Sequence, residues 1–284
     1  MSNISLDLSN RLPVEQVNIV REVVDTSESL GLQVFIVGAK VRDFLLQYAY
    51  DLPVHRVTND IDFAIVVESW DEFIKLQNDL IDDREFKPHA TMRQRLVYQT
   101  GLLVDLVPFG DLEEVSGQIS WPPDFSTVMS TVGFREAYDS SIEVRFADDL
   151  IVRVASLAGL ALMKIVAWDD RRFERDAEDL GLIMRNYLDA GNQDRIYSEH
   201  GDCLDLLTEE FDYDKASARI LGRDIGRLLT DTSRMIVERV LSEEMDQYGA
   251  DALAMAMVRN KTNYYGEYNT AIAMLVELRA GVMD

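Results

Sequence analysis

The stretch RVTNDIDFAIVV (56–67) decides the fold. Ile61, Phe63 and Ile65 alternate with Asp60, Asp62, Ala64 and Val66, and the β-branched content favours a strand entered from a polar loop. Side chains two apart in a strand share one face, roughly 6.5–7 Å apart along the chain, so both carboxylates look the same way. Converging to about 5 Å at an effective dielectric of about 20, they would repel by about 3 kcal/mol. A bound cation removes that cost, and so does exposure to water. One D-x-D by itself does not choose between them.

Working outward, GLQVFIVG (31–38) is a mostly apolar, β-branched run ending in glycine, and it reads as a buried strand. AKVRDFLLQYAY (39–50) follows with helical spacing at Val41, Phe44, Leu45 and Tyr48. After a turn-like DLPVHRVTN and the aspartate strand, SWDEFIKLQNDLI (69–81) predicts an amphipathic helix opened by Ser69 and Glu72 in the capping-box spacing. RLVYQT and LLVDLVPFG (95–110) predict two strands joined by a tight turn at Gly101. The order strand, helix, strand, helix, strand, strand defines an α/β (α+β) domain with a mixed sheet and flanking helices. SIEVRF and LIVRVAS add two strands about a turn at Asp148 and Asp149. From ASLAGLALMKIVAW (155–168) through RFERDAEDLGLIMRNYL (172–188) and beyond, the pattern is helical. The division this suggests is a sheet domain over 1–155 and a helical domain over 156–284. TNYYGEYN (262–269) reads as a surface turn with aromatic packing, and nothing after about 195 carries a chemical motif.

The bulk numbers exclude several classes. No apolar run approaches the roughly 18 residues of a membrane span, and MSNISLDLSNRLPVEQ lacks the basic start and apolar core of a signal peptide. The lone Cys203 rules out an internal disulfide framework, which suits a reducing cytoplasm, and scattered His55, His89 and His200 do not make a zinc site. A net charge of −23 gives no general attraction to nucleic acid, so a non-specific binder is not expected. A local basic cluster around Lys40, Arg42 and Arg56 would favour an RNA partner.

Asp105 is the informative acid. It sits in GLLVDLVPFG with apolar residues on both sides, and a single carboxylate in such a strand costs several kcal/mol unless it is paired or metal-bound. An arginine partner, Arg93 or Arg95, is the plain structural alternative. If this strand neighbours the Asp60/Asp62 strand, three carboxylates gather, and oxygen-only ligation selects magnesium or manganese. The strand-to-helix turn at Gly38 leaves backbone N–H groups that suit a phosphate, although the chain has neither a Walker loop nor a G-x-G-x-x-G. Lys164 lies on the apolar face with Leu157, Leu160, Ala161 and Trp168, either snorkelling from a half-buried face or reaching toward a triphosphate. DDRRFERDAEDL (169–180) reads as a solvated face with an Arg172–Asp176 pair.

Taken in order, VGAKVRD, TNDIDFAI, VDLVPFG and LALMKIVAWDDRRFERDAEDL resemble the nucleotidyltransferase superfamily, and within it the AbiEii/AbiGii-type toxins of type IV toxin–antitoxin and phage-defence systems. The resemblance covers roughly residues 30–190. It implies a nucleotidyltransferase-like sheet with a helical C-terminal domain. It also implies Mg2+ (or Mn2+) on Asp60 and Asp62 with Asp105 as third carboxylate, and nucleotide phosphates at Gly38, Ala39 and Arg42. Lys164 matches the helical-domain lysine and Asp176 an acid of the last motif, with Arg171 assisting at the nucleotide. Ala39 stands where the superfamily has serine or glycine, and it offers a backbone N–H but no hydroxyl. The implied reaction is in-line attack on the α-phosphate of a nucleoside triphosphate, with one metal activating the acceptor and a second neutralising the leaving phosphates. Asp105 would orient and deprotonate an acceptor that is RNA, such as the tRNA acceptor end, or a protein hydroxyl. A cognate antitoxin is an implied partner. A catalytically silent nucleotide-binding regulator and an ordinary structural scaffold are the other classes.

Overall fold

The computed structural model describes residues 5–54, 56, 58–83, 85–114, 116–207, 212–243, 252–259 and 263–284. They form two compact units, Met1–Ser156 and Leu157–Asp284.

The first unit begins with β1 (Leu6–Asp7), α1 (Val14–Ser29), β2 (Gln33–Val37) and α2 (Ala39–Arg42), which widens into a π-type stretch over Asp43–Ala49. Next come β3 (Asp60–Val67), α3 (Trp70–Asp83), β4 (Phe86–Pro88), β5 (Arg95–Tyr98) and β6 (Leu103–Gly110). β7 (Gln118–Trp121), β8 (Thr127–Ser130), α4 (Phe134–Asp139), β9 (Ile142–Ala147) and β10 (Leu150–Val154) complete it. The result is an eight-stranded mixed sheet in the order β1-β9-β10-β2-β3-β6-β5-β4, with β7 and β8 as a separate hairpin. β2, β3 and β6 lie at its centre, where Phe35, Ile36, Phe63, Ile65, Leu106 and Phe109 are buried.

The predicted strands and helices of this unit are present, with β1, α1, β4, the β7–β8 hairpin and α4 in addition. α1 is rich in valine, a weak helix former, and is stabilised by packing: Ile19, Val20, Val23 and Val24 are buried along one face. At the start of α3 the cap is shifted from the predicted box. The Glu72 N–H donates to Ser69 Oγ at 3.4 Å, but the Glu72 carboxylate accepts from the N–H of Glu68, at 2.8 Å, one residue earlier than expected. The predicted turn before β3 includes His55 and Val57, which lie outside the described residues.

The second unit is helical: α5 (Leu157–Arg171), α6 (Glu174–Asn186), α7 (Arg195–Ser198), α8 (Tyr213–Leu228), α9 (Asp231–Glu243), α10 (Ala252–Val258) and α11 (Tyr264–Met283). α8 and α11 approach closely through glycine, since a Cβ on Gly222 would lie 2.2 Å from the Leu278 carbonyl oxygen. The expected surface turn at TNYYGEYN is instead the first two turns of α11, with Thr262 outside the described residues. Glu267 there pairs with Arg185 of α6, a tertiary contact that overrides the turn-like composition, while Tyr265 is exposed. No described helix is long and apolar enough to cross a membrane.

Candidate active site

Register builds the site. β3 and β6 run parallel with Asp62 opposite Asp105, while β5 runs antiparallel to β6 with Arg95 opposite the same Asp105. Residues in register on neighbouring strands share a face at about 4.8 Å spacing, so Asp62, Asp105 and Arg95 form a row across the sheet. Asp60, two residues before Asp62, lies on that face as well. Ligand atoms of Asp60, Asp62 and Asp105 all lie within 4.8 Å of one another.

The turn after β2 closes against this row. Gly38 has φ 73° and ψ −169°, a region essentially closed to residues with a side chain. A Cβ there would stand 2.0 Å from Asp62 Oδ2, so the glycine is required twice, by its backbone angle and by the carboxylate against it. Ala39 opens α2 directly behind.

Lys40 and Arg42 do not form the surface cluster that would have favoured RNA. Both are buried beside Asp43. Lys40 Nζ donates to Asp43 Oδ2 at 3.4 Å and to the Thr58 carbonyl at 3.2 Å. Arg42 Nη2 donates to Asp43 Oδ1 at 2.9 Å, to the Arg56 carbonyl at 2.8 Å and to Thr58 Oγ1 at 3.2 Å. Arg42, expected at the nucleotide, therefore ties α2 to the loop that enters β3.

Both readings of Asp105 hold together. Its strand does neighbour the aspartate strand, and it also has an arginine partner. Arg95 Nε and Nη2 each lie 2.6 Å from one Asp105 oxygen, and Nη2 is 3.5 Å from Asp60 Oδ2. The hydrogen bonds to Asp105 outweigh burial and, with the charges of Asp105, Asp60 and Asp62, push the Arg95 guanidinium above its ordinary value. Arg93, the other candidate, holds the β7–β8 hairpin through the Trp121 and Pro122 carbonyls.

In the second unit, Lys164 neither snorkels nor extends as a free cation. Its Nζ lies 3.0 Å from Asp176 Oδ1 and 2.7 Å from Asp179 Oδ2, with both acids fully enclosed between α5 and α6. Arg171 Nε and Nη2 donate to Asp176 at 2.7 and 2.9 Å. Burial raises the Asp176 carboxyl, but the hydrogen bonds and charges of Arg171 and Lys164 overcome that and hold it below the usual carboxylate range. The solvated face expected for 169–180 is absent at Asp176 and Asp179. The expected Arg172–Asp176 pair is replaced too, because the helix breaks at Arg172, with φ 52°, which cancels the i,i+4 relation. Sequence reasoning missed Asp179; its signal was the i,i+3 spacing to Asp176 opposite a lysine on an apolar face.

No protein-family profile and no curated protein matches the chain. Among solved structures it is similar to the solution structure of the antibiotic-resistance factor ANT(2'')-Ia, at 14% identity over 69% of this chain and 97% of that one, with a TM-score of 0.39. The chemistry of the site rests on its side chains.

Proposed function

We propose that this chain is a metal-dependent nucleotidyltransferase that moves a nucleoside monophosphate from a nucleoside triphosphate to a hydroxyl acceptor. One observation carries the reading: the shared register of β3 and β6 gathers three carboxylates within 4.8 Å. An all-oxygen donor set fits magnesium or manganese, and the absent Cβ at Gly38 is what leaves room for the Asp62 carboxylate. Asp60 and Asp62 would hold the cation, which when bound neutralises charge on the phosphates. Gly38 and Ala39 would offer backbone N–H groups to a phosphate, and Asp105 would orient the acceptor hydroxyl and take its proton. The acceptor oxygen bonds to the α-phosphorus as the bond to the bridging oxygen breaks, and pyrophosphate leaves.

Two acceptors suit this chemistry. The family resemblance points to RNA such as the tRNA acceptor end, in a toxin–antitoxin and phage-defence setting with a cognate antitoxin. The burial of Lys40 and Arg42, together with the charge of −23, favours a protein hydroxyl. The test is a transfer assay with magnesium, α-phosphate-labelled nucleoside triphosphates, and both total RNA and cell protein as acceptors. Label that reaches either acceptor, and is lost in an Asp60→Ala, Asp62→Ala double variant, supports the proposal. Nucleotide binding without transfer, in magnesium and in manganese, would replace it with a silent regulator.

A further inference from the structure

Arg95 is more than a counter-ion that happens to be near. Its strand is zipped to β6 by the pairs Leu96–Val104 and Val97–Leu103, which fix it opposite Asp105. The guanidinium engages both Asp105 oxygens at 2.6 Å, the bidentate geometry that arginine makes most strongly with a carboxylate. Both side chains are largely enclosed, at 17% and 12% exposure, whereas Asp60 stands open at 32%. Three carboxylates and one guanidinium leave a net charge of −2, which one divalent cation balances. A second divalent ion, without phosphates to accompany it, would enter a site already neutral.

We propose that Arg95 acts as the site's resident cation, withholding Asp105 from the metal-ligand set, so that the protein without nucleotide takes one divalent ion on Asp60 and Asp62. This rests on the reading of the carboxylates as a metal site, and it limits the free protein to a single ion. Arg95 is a positioning residue here.

The experiment is Mn2+ binding without nucleotide, followed by calorimetry and electron paramagnetic resonance, on the full chain and three variants. The wild type is expected to bind one ion per chain. R95Q, which releases Asp105, should bind a second ion or bind about tenfold tighter. R95Q/D105N restores the charge of −2 with no unpaired buried group, and it should bind within about threefold of wild type. If R95Q alone does not fold, the double variant decides. Binding by R95Q/D105N weaker than wild type by about tenfold would make Asp105 a ligand and overturn the inference. R95Q indistinguishable from wild type would overturn it as well. If D60N/D62N loses the ion while R95Q changes nothing, only the role of Arg95 fails. No ion on wild type or R95Q would remove the metal reading and this inference together.

Discussion

Gly38 carries two constraints on one Cα, a left-handed backbone and the Asp62 carboxylate pressed against it. Gly38→Ala is expected to cost about 1–3 kcal/mol from the backbone alone, and to displace Asp62. Urea unfolding would show the first effect and loss of Mn2+ binding the second. In the helical unit, Asp176→Asn strips Lys164 and Arg171 of their shared carboxylate, which should cost about 3 kcal/mol at pH 7. Because the folded Asp176 carboxyl titrates below its ordinary value of 3.8, its contribution is complete above that value and is lost as the pH falls through the lowered one. The gap between variant and wild type should therefore narrow as the pH falls below 3.8, which urea melts at pH 7 and at stepwise lower pH would reveal. Asp60, Asp62 and Asp105 were legible from strand alternation and from the cost of a carboxylate in an apolar run. The choice of Arg95 over Arg93 was not, since strand register alone separates them. The fate of Lys164 was also hidden: counting along a helix finds its face, but not what packs across from it.

The pairing of β3 with β6 makes the site, and the loop that launches β3 is held from α2 by Arg42. Arg42→Ala would leave Asp43 facing Lys40 at 3.4 Å, and a loss of about 3–5 kcal/mol in stability is expected. Unchanged melting with a raised KM for nucleotide would instead restore the nucleotide-contact role read from the sequence. At the start of α3, Ser69→Ala should cost about 0.5–1 kcal/mol with transfer activity untouched, measured in the same unfolding and label assays. The central strands and α5 were readable because buried strands and a long apolar helix impose strong patterns. α1 was not, because its valines favour strands locally and become helical only by packing. The first turns of α11 were lost for a related reason: the glycine, asparagine and tyrosines read as a turn, and the Arg185–Glu267 pair that stabilises the helix comes from far along the chain.

Across all 284 residues acids outnumber bases by 23, and mutual repulsion opposes compaction. Adding salt from low millimolar to physiological levels should raise the melting temperature by about 2–4 °C, a scanning-calorimetry measurement, as that repulsion is screened. The same charge was legible from composition and argued against non-specific nucleic-acid binding; what composition could not show is that Lys40 and Arg42 are withdrawn from the surface altogether. The sheet has its own discipline at its borders. One outer strand, β1, has two residues; the other, β4, has three, of which Lys87 and Pro88 face solvent. Proline presents no N–H to an arriving strand, and a lysine beside it would have to surrender its hydration. The open sheet thus denies foreign backbone a template, so the chain is guarded against fibrillar growth even when salt masks its charge.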